Sequence, residues 1–155
     1  MPEPRLWTAE TPELYTVKLY TEGETITRHV GFRTIAISAD NELLINGTPV
    51  KLKGVNHHDT DPEKGWTMSS ADILRDLKLM KRLNINCVRT SHYPPSPEFL
   101  DYCDELGLYV ILETDIETHG FVRRYANVGY GYDVDDTIWP CANDMWHKEF
   151  LERME

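Results

Sequence analysis

Three polar clusters that contain histidine follow strand-like apolar runs in this chain. The clusters cover residues 56–59, 91–94 and 113–120, and the runs before them are Val50–Val55, Ile85–Thr90 and Leu108–Leu112. Histidine and carboxylate side chains can transfer protons, hydrogen-bond polar substrates and bind metal ions. The repeated pattern predicts one shared site, and the alternative is three unrelated surface loops that carry polar residues.

Helix-like segments lie between these runs and determine how the clusters are arranged. Strands that alternate with helices form parallel sheets through right-handed crossovers. Parallel strands end at one edge of the sheet, where α/β barrels and open α/β sheets carry their active sites. The sequence therefore predicts an α/β fold in which the three clusters converge at one edge.

The ends of the helices can be predicted from capping residues. Ser69 or Ser70 can cap a first helix, and Ser96 with Pro97 marks the start of a second, which Gly107 ends. Apolar residues recur at spacings of three and four in both helices: Ile73, Leu74, Leu77, Met80 and Leu83, then Phe99, Leu100, Cys103 and Leu106. A third helix is predicted over residues 144–154.

The first 37 residues have a different character. Leu14–Tyr20 and Thr25–Val30 alternate with period two around a turn-like Gly23, which is typical of an antiparallel hairpin. A second hairpin is predicted where Asn46-Gly47 separates two short apolar runs, because both turn positions need positive φ. The βα alternation begins only after this second hairpin.

Composition excludes several classes of protein. The chain has 155 residues, of which 41% are hydrophobic and 27% charged, as expected for a soluble globular protein. Its net charge of -10 argues against a nucleic-acid partner. No apolar run approaches the roughly 20 residues that span a membrane, and no secretory signal is visible. Three cysteines without metal-like spacing favour buried, reduced thiols and a cytoplasmic location over a disulfide.

Six motifs carry a family resemblance over nearly the whole chain. They are Leu6–Tyr15, Val30–Arg33, Ile45–Gly47, Gly54–His58, Asn86–Pro94 and Ile116–Gly120. In this order they resemble the bacterial β-galactosidases of glycoside hydrolase family 2. The resemblance implies that residues 1–37 are the last strands of an immunoglobulin-like β-sandwich. It implies that residues 38–155 are the first three βα units of a (β/α)8 TIM barrel, which needs eight such units.

The resemblance also implies that the reacting groups are elsewhere. Retaining glycosidases use two carboxylates about 5–5.5 Å apart, one as acid/base and one as nucleophile. In the family both are glutamates on later strands, the first in an Asn-Glu pair, and no such pair follows Leu112. No catalytic residue is therefore expected in this chain, and both glutamates are expected beyond Glu155.

The resemblance assigns substrate roles to three side chains. His58 and His92 match family histidines that hydrogen-bond the galactosyl hydroxyls, whereas His57, one position away, is expected to be a satisfied core histidine. Arg89 matches an arginine that holds the nucleophilic carboxylate in its ionised form. A structural ion pair between Arg89 and Glu113 is the alternative.

Two side chains of the third cluster match metal ligands of the family. Glu117 and His119 offer a hard oxygen and an imidazole nitrogen to one cation. The resemblance implies Mg²⁺, with a monovalent cation as a further candidate. The alternative for Glu117 is a salt bridge to Arg123 or Arg124.

The expected function is that of a segment of a retaining β-galactosidase acting on terminal β-D-galactosides. A β-glucuronidase-like hydrolase and a non-catalytic carbohydrate-binding or assembly fragment are the alternatives. The whole protein is expected to be a homo-oligomer and this chain alone to self-associate. Two loops are expected to shape specificity: residues 62–66, where Trp66 suits stacking on a sugar, and Phe121–Cys141.

Overall fold

A computed structural model describes residues 3–117, 140–142 and 144–154 of the chain. It divides into two compact units, the first made of Met1–Thr90 with Pro95–Ile111 and the second of Ser91–Pro94 with Leu112–Glu155. In the described parts of both units, no helix is long and apolar enough to cross a membrane. The predicted domain boundary at residues 37 and 38 stays a prediction.

Two antiparallel sheets form the N-terminal part of the first unit. Strands β1 (Tyr15–Tyr20) and β2 (Thr25–Val30) pair with each other, as predicted. Strands β3 (Ile35–Ile37), β4 (Leu43–Ile45) and β5 (Thr48–Pro49) form the second sheet. The predicted turn joins β4 to β5, with φ of 53° at Asn46 and 78° at Gly47.

A three-stranded parallel sheet follows, in the order β6 (Gly54–His57), β7 (Cys87–Thr90) and β8 (Tyr109–Ile111). The predicted parallel arrangement is confirmed, but the predicted start of the first strand at Val50 is wrong. The Asn86 side chain accepts a hydrogen bond from the Lys53 amide at 2.7 Å and donates one to the Lys51 carbonyl at 3.1 Å. This amide side chain satisfies the backbone that precedes Gly54, so strand pairing begins only there.

Two helices cover one face of the parallel sheet. Helix α1 (Ser70–Arg82) begins after a capping box formed by Ser69 and Asp72. Helix α2 (Pro97–Leu106) begins after the Ser96 cap and ends at Gly107, whose φ is 77°. Their apolar faces and the sheet form the core, which comprises Ile73, Leu77, Met80, Val88, Phe99, Cys103 and Leu108.

Leu83 and Cys141 were predicted to be buried but are exposed. Leu83 is the C-cap residue of α1, and its side chain is 64% exposed because the helix ends at Arg82 and no longer directs residue 83 toward the core. Cys87 and Cys103 are free and buried as predicted, but Cys141 is free and exposed. Burial raises the pKa of the Cys87 thiol and raises that of Cys103 to about 12, so both thiols resist ionisation.

The segment before β1 packs against the turn between α2 and β8. Trp7 is 2% exposed, and its indole N–H donates to the Asp104 carbonyl at 2.9 Å. The Lys81 ammonium donates to the carbonyls of Ala9 at 3.0 Å and Gly107 at 2.8 Å. A side chain at Gly107 would collide with the Ala9 carbonyl, so the close approach requires glycine there.

The second unit contains helix α3 (His147–Glu152), preceded by a 3-10 turn over Asp144–Trp146. The helix predicted over 144–154 is thus shorter than expected. The N-cap residue Trp146 makes no capping hydrogen bond through its side chain, because an indole has no oxygen to accept one from an amide.

Candidate active site

The open face of the parallel sheet carries polar side chains where the strands end. Asn56 and Arg89 are directly opposite each other in the β6–β7 ladder, and the guanidinium Nη1 donates to the Asn56 Oδ1 at 3.3 Å. Their neighbours Val55 and Val88 lie on the helix-covered face and belong to the core or pack against it. The period-two alternation of strands therefore presents Arg89 on the uncovered face of this unit, as its predicted role requires.

Two adjacent histidines end β6 and have different surroundings. The His57 side chain is 9% exposed and lies against the Phe99 ring, with centroids 5.2 Å apart. Its Nδ1 is 3.5 Å from Asp59 and its Nε2 is 3.4 Å from Asp76. His58 is exposed. The prediction of a satisfied histidine at position 57 is confirmed, whereas the substrate role of the exposed His58 stays a prediction.

The loop after His58 is held to the start of α1 by charged side chains. The Asp61 carboxylate accepts hydrogen bonds from the amides of Glu63 and Lys64 and lies 3.6 Å from Arg75. The Lys64 ammonium donates to Asp72 at 2.6 Å, and Arg75 donates to the other Asp72 oxygen at 3.2 Å. This network fixes both ends of the loop segment 61–72.

These contacts change the acidity of the carboxyl groups involved. The Lys64 ammonium and the Ser69 hydroxyl hold the pKa of the Asp72 carboxyl well below its usual range. The Glu63 amide lowers the pKa of Asp61. The carboxylate of Asp76 raises the pKa of Arg75. All three groups therefore stay charged around neutral pH, which keeps the loop braced.

Trp66 stands at the end of this braced turn. Asp61 and Gly65 exchange backbone hydrogen bonds of 2.7 and 2.9 Å, and Gly65 has a φ of 68°. The indole that follows is 77% exposed. A large, exposed ring on a fixed turn has the geometry that stacking on the apolar face of a sugar requires.

The second unit contains the other predicted substrate histidine. The His92 Nδ1 is 3.3 Å from the Glu113 carboxylate, an arrangement that fixes the orientation of the ring. The neighbouring Ser91 is 1% exposed, and its hydroxyl has no hydrogen-bond partner among the residues that the structure describes. Glu113 and Asp115 end the third strand run and were both candidates to orient the substrate groups, and the structure pairs Glu113 with His92.

The predicted metal ligands are described only in part. Glu117 has an exposed carboxylate, which suits a ligand for a hard cation. His119 lies outside the described residues, as does most of the predicted loop Phe121–Cys141. Among the residues that the structure describes, no group of three His, Cys, Asp or Glu side chains could hold a metal ion.

The first unit also contains a cleft of about 220 Å³. Trp7, His29, Val30, Gly31, Arg33 and Asp104 line it. The Arg33 guanidinium lies 5.0 Å from the centre of the Trp7 ring, and burial raises the pKa of Asp104. Trp7 packs edge-on against Tyr109, at the start of β8.

The fold and the polar strand ends define the class of protein. Residues 35–155 match the family model described as the TIM barrel domain of glycosyl hydrolases family 2, and residues 1–33 match a further model of family 2. The chain belongs to glycosyl hydrolase family 2. The immunoglobulin-like sandwich expected for the first 37 residues stays a prediction.

Individual relatives narrow the comparison to β-galactosidases. A β-galactosidase of Staphylococcus xylosus is 45% identical over 155 residues, which cover 98% of this chain and 15% of that protein. One of Arthrobacter sp. strain B7 is 47% identical, covering 96% of this chain and 14% of that protein. The structure of β-glucuronidase 3 from Bacteroides uniformis matches 69% of this chain and 14% of its own, with a TM-score of 0.63 and 32% identity. The chain spans about one seventh of the length of these two β-galactosidases.

Proposed function

We propose that this chain is the part of a retaining β-galactosidase that supplies substrate and metal groups. Its full-length protein would hydrolyse terminal non-reducing β-D-galactosides through a covalent galactosyl intermediate. The observation that carries the proposal is the pairing of Arg89 with Asn56 on the open face of the parallel sheet, at the strand ends. The identity of 45% and 47% to two β-galactosidases supports the choice of sugar.

Arg89 is proposed to act through its positive charge. A guanidinium stays protonated at all working pH values, and it stabilises the ionised form of a carboxylate placed beside it. The hydrogen bond to Asn56 orients the guanidinium without neutralising it. Arg89 would therefore keep the nucleophilic glutamate of the full-length protein ionised and ready to attack the anomeric carbon.

His58 and His92 are proposed to bind the galactosyl hydroxyls. A carboxylate only accepts hydrogen bonds, so the contact with Glu113 makes the His92 Nδ1 the donor. In the neutral ring Nε2 is then the acceptor, suited to a sugar hydroxyl. Hydrogen bonds that strengthen as the sugar becomes oxocarbenium-like lower the barrier rather than only tightening binding.

Glu117 and His119 are proposed to bind Mg²⁺. The exposed carboxylate of Glu117 fits a hard cation, and an imidazole two residues later can bind the same ion. The bound ion would supply positive charge near the acid/base glutamate. Replacing both by Glu117→Gln and His119→Ala in the full-length protein should weaken Mg²⁺ binding, measured by calorimetry, more than it lowers the unfolding temperature.

The test compares sugars and variants in the full-length protein. We expect turnover of a nitrophenyl β-galactoside and little turnover of the matching β-glucuronide. His58→Ala and His92→Ala should each lower kcat/KM by about 10–100-fold, the equivalent of 1.4–2.8 kcal/mol. His29→Ala is the matched control, because His29 is an exposed hairpin histidine paired only loosely with Glu105 at 3.8 Å. The 155-residue chain alone should show no turnover, because it contributes neither catalytic glutamate.

A β-glucuronidase-like activity is the second candidate, and the match to the Bacteroides uniformis β-glucuronidase 3 structure favours it. The motif Ile116–Gly120 and the higher identity to β-galactosidases argue for the first. Faster hydrolysis of the β-glucuronide would therefore replace the proposed substrate. Turnover by the purified 155-residue chain would contradict the assignment of the glutamates to another part of the protein.

A further inference from the structure

We propose that His57 is a positioning residue that fixes the neighbouring His58. The inference rests on the proposed function, which assigns His58 to the substrate. The sequence predicts only a satisfied core histidine at position 57, because the family histidine is matched by His58. Its contacts show a more specific arrangement.

The His57 ring connects four elements of the first unit. Its backbone pairs with Thr90 at the end of the β6–β7 ladder, and its ring lies against Phe99 of α2. Nε2 is 3.4 Å from Asp76 of α1, and Nδ1 is 3.5 Å from Asp59 of the following loop. An apolar aromatic residue would fill the same space but would remove the two ring nitrogens that contact Asp59 and Asp76.

His58 lies between two residues, His57 and Asp59, whose side chains contact each other. The His58 carbonyl accepts a hydrogen bond from the Thr60 amide at 2.8 Å. The backbone of His58 is therefore held from both sides, while its side chain remains exposed.

The charged groups around His57 also connect the segment 57–59 to the rest of the first unit. The other oxygen of Asp76 accepts a hydrogen bond from Arg75 at 3.1 Å, and Arg75 also contacts Asp61 and Asp72. His57 is thus the link between the network that braces the loop and the strand end that carries His58. Loss of its nitrogens should let His58 move, and a displacement of about 1 Å at a binding group can cost up to 10²-fold in rate.

The test uses the full-length protein and a double-mutant cycle. His57→Phe keeps an aromatic ring against Phe99 and removes both nitrogens. It should lower kcat/KM for the nitrophenyl β-galactoside by about tenfold and raise the inhibition constant of free galactose. In the His58→Ala background, His57→Phe should change kcat/KM by less than about twofold, because a residue that acts through His58 has nothing left to position. His29→Phe, the same change on an exposed hairpin residue, is the control.

A second variant covers the case in which His57→Phe does not fold. Asp76→Asn keeps the size of the side chain, which is 28% exposed, and removes its charge. It should produce a smaller loss of kcat/KM that also disappears in the His58→Ala background. Losses that add fully to that of His58→Ala, or a lowered unfolding temperature with unchanged kinetics, would overturn the positioning role. Absence of galactosidase turnover in the unmodified protein would instead refute the proposed function, and this inference with it.

Discussion

Replacing Gly107 by alanine should destabilise the first unit far more than an ordinary glycine substitution. Gly107 has a φ of 77°, and an L-residue in the left-handed region costs about 1–2 kcal/mol. The added Cβ also collides with the Ala9 carbonyl, which accepts a hydrogen bond from the Lys81 ammonium. If the added Cβ displaces the segment that contains Ala9, the hydrogen bond from Lys81 to Ala9 is lost. This loss costs roughly 1.5–3 kcal/mol because the donor is charged. The free energy of unfolding should therefore fall by about 3–5 kcal/mol.

Gly47→Ala is the matched control for this substitution. Gly47 has a φ of 78°, but an added Cβ meets nothing within 4 Å. It should lose only the backbone contribution of about 1–2 kcal/mol. Urea unfolding of the 155-residue chain, followed by circular dichroism at one protein concentration, measures both variants. In Gly107→Ala the emission of the buried Trp7 should also shift to longer wavelength. Equal losses for the two variants would refute the packing of residue 9 against residue 107.

Three further predictions concern acid stability, thiol reactivity and association. The folded Asp72 carboxyl has a pKa below its usual value, so its contribution is present above about pH 4 and is lost as the pH falls through the folded pKa. The free energy of unfolding should decline on acidification below about pH 4, and Asp72→Asn should flatten this decline; parallel curves would contradict it. A thiol reagent should label Cys141 quickly in the native chain and reach Cys87 and Cys103 only in denaturant, so rapid labelling of all three would show that the core is open. The chain alone should self-associate and bind an apolar dye, because large side chains of β3 are 60% and 63% exposed. A few hundred Å² of such surface costs several kcal/mol at about 25 cal/mol per Å². A tight monomer without dye binding in a sedimentation experiment would show this to be wrong.

Features that depend on neighbours in the sequence were predictable from it. The cap at Ser96, the proline that follows and the terminator Gly107 all act within one helical turn, and each lies where the sequence predicted. The Asn46-Gly47 turn is equally local. Short-range chemistry fixes these positions regardless of the tertiary structure.

Features that depend on distant side chains were not predictable. The first parallel strand begins at Gly54 because Asn86, 33 residues from Lys53, satisfies the preceding backbone. The link between His57 and Asp76 joins residues 19 apart, and only the packing of α1 on the sheet brings them together. For the site, the sequence predicted the satisfied histidine at position 57 but could not show which side chains contact it, and the substrate role of His58 stays a prediction.

The contact between the N-terminal segment and the turn after α2 has a practical consequence for dividing this protein into parts. A boundary at residues 37 and 38 follows the change in sequence pattern, yet Trp7 and Ala9 cover residues of the α/β part at 104 and 107. An expression product that starts at residue 38 would lack the Trp7 ring that packs against Tyr109 and would leave Lys81 without one of its two carbonyl acceptors. Within the first unit, the segment with Trp7 and Ala9 therefore packs as part of the α/β structure, and domain swaps within the family should exchange the two together.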